Sequence, residues 1–91
     1  MLKPEFNNRA KKDLQVCARR GLDLSKLIEA VVLLAADEGM PERYSDHALT
    51  GNWTGFRDCH ISGDWLLLYR VDRTNSTLQI AGIGTHGDLF E

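Results

Sequence analysis

The chain has 91 residues, 43% of them apolar and 26% charged. That is the composition of one ordinary globular domain, not of a disordered, fibrous or multidomain protein. The net charge of −2 argues against a uniformly basic nucleic-acid binder, and no apolar run approaches the roughly 18 residues that span a bilayer. The N-terminal Met1-Leu2-Lys3-Pro4-Glu5 lacks the basic-then-apolar layout of a signal peptide, so the expected location is the cytoplasm.

In chain order, Met1–Lys3 reads as a short strand, and Pro4 suits a first helical position. Phe6, Ala10, Leu14 and Cys17 then recur on one helix face, and Gly21 closes that helix with a left-handed cap. Asp23 or Ser25 caps a second helix whose apolar stripe is Leu24, Leu27, Ile28, Val31, Leu34 and Ala35, stopped by Gly39 and Pro41. Residues 1–26 hold seven basic side chains against three acidic, while residues 27–91 hold four against ten. The basic start reads either as a solvated face or as a surface for phosphates. Arg43–Leu49 is a fourth strand or an extended lead-in. Phe56–Ile61, Trp65–Val71 and Thr77–Ile83 read as strands, joined by links short enough to make them antiparallel neighbours.

The expected fold is therefore α+β, in the order β-α-α-β-β-β, with a helical hairpin on one face of an antiparallel sheet. Along Phe56–Ile61 the alternation sends Arg57, Cys59 and Ile61 one way and Phe56, Asp58 and His60 the other. Apolar Cys59 and Ile61 belong under the helices, which leaves Asp58 and His60 on the opposite face. His47, His60 and His86 lie in three separate segments, with Asp46, Asp58, Asp64 and Asp88 close in sequence. Histidine passes protons near neutral pH, so the set suits general acid–base work if the fold gathers it. Three histidines with an aspartate also make a usable zinc set, although no H-E-x-x-H or H-x-H spacing is present. Trp53, Trp65 and Phe90 can stack on bases, with core packing the alternative for Trp65. Cys17 and Cys59 read as buried small hydrophobes.

Three blocks stand in order from Asp46 to Phe90: Asp46-His47-Ala48-Leu49-Thr50-Gly51; Gly55-Phe56-Arg57-Asp58-Cys59-His60-Ile61 followed by Asp64-Trp65-Leu66-Leu67-Leu68-Tyr69; and Gly84-Thr85-His86-Gly87-Asp88-Leu89-Phe90. Together they resemble the YafQ branch of the RelE/ParE toxin superfamily, whose pattern runs D-H-x-L-x-G, then G-x-R-D/E-x-H-I/V-x-x-D-W-I/L-L-x-Y, then R-T-G-T-H-x-x-L-F. The resemblance implies a type II toxin, a metal-independent endoribonuclease needing no cofactor. It would cut mRNA in the ribosomal A site by attack of a ribose 2′-hydroxyl on the adjacent phosphate. It also implies a cognate antitoxin as partner, and operator DNA only as a toxin–antitoxin complex.

Carried over by position, His47, His60, Asp64 and His86 match the family's catalytic residues. His86 is then the proton donor to the leaving oxygen, His60 aided by Asp64 the base, and His47 the group that orients the phosphate. Phe90 matches an aromatic residue near the site. Asp58 and Trp65 match the motif, as substrate contacts or as scaffold. The pattern's arginine falls on Gly82, so its charge must come from Arg57, Arg70 or a protonated histidine. Losing one preorganised donor costs about 3–4 kcal/mol of transition-state stabilisation. The alternative is a weak or inactive homologue that only binds an antitoxin and regulates its own operon.

Overall fold

The computed structural model describes residues 1–90. Its elements are β1 (Lys3–Phe6), α1 (Asn8–Arg19), α2 (Leu24–Ala36), β2 (His47–Ala48), β3 (Arg57–Ser62), β4 (Trp65–Asp72), β5 (Thr77–Gly84) and α3 (His86–Phe90), with single 3-10 turns at Glu42–Tyr44 and Gly51–Trp53. The five strands lie in the order β1-β5-β4-β3-β2. Pairing is antiparallel from β2 to β5, and β1 joins β5 as a parallel edge. The expected α+β architecture is present, extended by α3. Among the described residues, no helix is long and apolar enough to cross a membrane.

The first strand falls later than expected. Pro4 lies inside β1 rather than at a helix start, where an edge strand tolerates its missing N–H. α1 begins instead after Asn7, whose side chain accepts from the Ala10 N–H at 2.8 Å. It ends as foreseen at Gly21 (φ +74°): Gly21 N–H donates to Ala18 O and Leu22 N–H to Cys17 O, the paired bonds of a Schellman cap. Asp23 caps α2, which stops at Ala36, earlier than Gly39, with Asp37 in the left-handed conformation. Arg43–Leu49 contributes only the two-residue β2, preceded by a turn.

β4 shows how the sheet divides its side chains. Trp65, Leu67 and Tyr69 join Cys59, Ile61, Ile80 and Ile83 beneath α1 and α2 in the main core. Leu66 and Leu68 point the other way and meet Leu89 of α3, with Leu49, Trp53, Phe56, Ala81 and Phe90 at the margin. Full burial of each such leucine is worth about 1.5–3 kcal/mol. The second face is therefore not bare: α3 and the turn after β2 cover part of it. Ile28 and Val32, by contrast, are largely exposed, so the α2 stripe is wider than the core it serves.

Candidate functional site

The three histidines converge on the face opposite the helical hairpin. β2 carries His47, paired across the strands with Asp58 of β3. His60 lies two residues further along β3, on the same face. His86 opens α3, with its ring centroid 5.9 Å from that of His60. Phe90 follows at 6.1 Å from His86, Trp53 at 5.7 Å from Phe90, and Phe56 at 5.6 Å from Trp53, so a line of rings runs away from the histidines. The guanidinium of Arg70 lies 5.5 Å from the Phe56 ring centroid at the end of that line.

Each histidine is held through Nδ1. His47 Nδ1 is 2.8 Å from Ser45 O, and His60 Nδ1 is 2.9 Å from Gly63 O. A carbonyl oxygen only accepts, so both rings carry a proton on Nδ1. His86 Nδ1 lies 2.5 Å from Asp64 Oδ1, which also accepts from the His86 backbone N–H at 3.2 Å. Asp64 therefore partners His86 and not His60, the histidine it was expected to assist. Its carboxyl sits below the ordinary carboxylate range, first because of the hydrogen bond from the His86 ring and then because of the backbone bond.

α3 is built to fix His86. Thr85 Oγ1 accepts from Asp88 N–H and Asp88 Oδ2 accepts from Thr85 N–H, both at 3.1 Å, a reciprocal capping box. Asp88 also pairs with Arg20 at 3.4 Å, and its carbonyl accepts from Arg9 at 2.7 Å. A Cβ at Gly84 would lie 2.9 Å from the Asp88 side chain, so the glycine is what lets the box close. Beyond the end of β1, Asp13 of α1 accepts from the free Ile83 N–H at 3.0 Å and secures the strand that delivers α3. The spacing Thr85-x-x-Asp88 was the signal for this helix. Asp13, Arg9 and Arg20 had no local signal.

Arg57, Trp65 and Asp58, three candidate substrate contacts, are placed as follows. Arg57 lies on the helix-covered face, donating through Nε to Asp46 Oδ1 at 3.3 Å, beside the Tyr69 hydroxyl, which donates to the same oxygen at 2.6 Å. The strand alternation that buries Cys59 puts Arg57 there too. Trp65 is packed into the main core, only 8% exposed. Asp58 does lie on the histidine face, but at 1% exposure it cannot meet a substrate. Gly82 also faces this side: a Cβ there would lie 2.8 Å from Leu89 Cδ2 and 3.7 Å from Arg9 Nε, so Leu89 occupies the start of any side-chain path. Among the described residues no group of three His, Cys, Asp or Glu side chains is arranged to hold a metal ion. Cys59 is a core residue as expected, its thiol pushed up to about 12 by burial.

This geometry can be set beside known proteins. The mRNA interferase toxin YafQ of Escherichia coli K12 is 36% identical over 87 residues, covering 94% of this chain and 92% of that protein. The crystal structure of a metal-bound toxin from Helicobacter pylori superposes with a TM-score of 0.93 at 36% identity, covering 99% of this chain and 100% of that one. YafQ in the E. coli DinJ–YafQ complex gives a TM-score of 0.90 at 32% identity over the whole of both chains. Residues 2–91 match the family described as "Bacterial toxin of type II toxin-antitoxin system, YafQ". The chain belongs to the YafQ family of bacterial toxins.

Proposed function

We propose that this protein is an mRNA interferase that acts on ribosome-bound message and is silenced by a cognate antitoxin. The observation that carries the reading is the gathering of three histidines, each anchored through Nδ1, on one face beside a line of aromatic rings. Cleavage by a 2′-hydroxyl needs a base for that hydroxyl, an acid for the leaving 5′-oxygen, and donors for the phosphorane-like transition state. His86, held by Asp64, donates to the leaving oxygen. His60, whose ring neighbours that of His86, accepts the 2′-hydroxyl proton. His47, when protonated on both nitrogens, donates from Nε2 to the phosphate while Nδ1 stays on Ser45 O. Phe90 and Trp53 offer surfaces on which bases stack. E. coli YafQ is named an mRNA interferase toxin and was crystallised in the DinJ–YafQ toxin–antitoxin complex, which supports the same activity and partner class here. Operator DNA is then bound only by the toxin–antitoxin complex.

Gly82 favours a second reading, a catalytically weak homologue kept for antitoxin binding. With Arg57 on the far face, the positive charge has to come from Arg70, Arg9 or a protonated histidine. Primer extension on message from a translation mixture, with and without ribosomes, separates the two. The proposal expects cuts at defined codon positions only when ribosomes are present. Absence of cuts from folded protein at high concentration establishes the second reading instead.

A further inference from the structure

We infer that Asp58 is the positioning residue of His47: a buried carboxylate that keeps the Nδ1–H edge of the ring turned inward, so that Nε2 faces the phosphate. The inference rests on the nuclease reading above and deepens it.

Asp58 is 1% exposed, on a sheet face floored by Leu66 and Leu68. Its Oδ1 is enclosed and has no aligned hydrogen bond. His47 Nδ1 is 3.3 Å from that oxygen, within ion-pair reach. A buried carboxylate oxygen without a donor is costly, and a fold keeps one only where something compensates it. Among the described residues the imidazole is the compensating group. Its Nδ1 proton goes to Ser45 O, 2.8 Å away, which leaves the positive edge of the ring beside Asp58. The opposite tautomer would set a lone pair on Nδ1 against both the Ser45 carbonyl and the carboxylate, two acceptors at once. Asp58 and Ser45 O together therefore disfavour a lone pair on Nδ1 and hold that edge of the half-exposed His47 ring in place.

The site then contains two His–Asp pairs of different kinds. In the His86 pair both partners are more than half exposed, whereas in the His47 pair the carboxylate is sealed beneath the ring. An exposed aspartate can be replaced by water as a partner. A sealed one cannot, so the second pair is the more rigid. β2 needs this rigidity, since only two residues pair it to the sheet.

The test is a double-mutant cycle with a spectroscopic arm. Cleavage of ribosome-bound message is measured for wild type, Asp58→Asn, His47→Ala and the double variant, with Asp58→Glu as the conservative control. In Asp58→Asn, kcat falls about 10–100-fold, the range for removing a carboxylate that orients a metal-bound histidine, with KM little changed. The same substitution has no further effect once His47 is alanine, because a residue that acts only through His47 has nothing left to position. Asp58→Glu restores most of the loss. In the wild-type protein, ring nitrogen-15 shifts show a proton on His47 Nδ1, in the neutral ring or the imidazolium, a readout that needs no activity. An Nε2–H tautomer overturns the inference even if cleavage is robust. So does an Asp58→Asn loss of equal size in both backgrounds, or no loss in folded protein. If wild type does not cleave but Nδ1 is protonated as stated, the nuclease reading fails and the positioning contact stands.

Discussion

The two faces of the sheet share their strands but are finished differently. Beneath the helices, Trp65, Leu67 and Tyr69 alternate into a core that also takes in Cys59, Ile80 and residues of α1 and α2. Its polar group, Asp46 with Arg57 and Tyr69, is hydrogen-bonded within itself. On the other face Leu66, Leu68 and Leu89 make a thin apolar floor, and the polar groups around it hold three imidazoles through Nδ1. One face spends its side chains on stability, and the other holds ionisable groups near solvent in fixed orientations. Substitutions on the two faces should therefore fail in different ways.

The largest separation is expected from His86→Ala and His60→Ala. Each should lower message cleavage by about 100–10,000-fold, the contribution of a positioned acid or base, while thermal melts stay close to wild type. A large drop in melting temperature would mean that the histidines are structural and would erase the contrast. Leu67→Ala should do the reverse. Removing that fully buried side chain should cost about 2–5 kcal/mol in denaturant titrations, with cleavage per folded molecule retained at low temperature.

Gly84→Ala tests the link between fold and site. Its Cβ would press on Asp88 at 2.9 Å and open the capping box that begins α3. Loss of the cap should cost about 1 kcal/mol, and cleavage should fall more than that cost explains because His86 moves. The smallest effect is the pH dependence contributed by Asp64. Its carboxyl lies below 3.8 in the folded protein, so its contribution is present above the unfolded value and is lost as pH falls through the folded one. Wild type should therefore lose slightly more stability than Asp64→Asn as the pH is lowered in acid titrations, and the exposure of the pair keeps the difference small.

The same contrast explains what could be read from the sequence. The face assignment along β3 followed from Cys59 and Ile61, because alternation is local and burial of apolar side chains is strong. The same alternation puts Arg57 on the helix-covered face, although its charge had made it a candidate for the site. Three histidines on one face were legible through the motif blocks. The partner of each histidine was not. Asp64 lies four residues from His60 and 22 from His86, and only the fold shows that the distant ring is the bonded one. α3 escaped notice because five residues are too few for periodicity, although Thr85 and Asp88 stand at capping-box spacing. Pro4 was misplaced because an edge strand and a first helical turn both tolerate its missing N–H.

The most direct measurement is the chemistry of the cut ends, taken on message from a ribosome-containing mixture with the wild-type protein. The account predicts a 2′,3′-cyclic phosphate on the upstream fragment and a 5′-hydroxyl on the downstream one, both absent with His86→Ala. A 5′-phosphate on the downstream fragment, or unchanged cutting by His86→Ala, would contradict it.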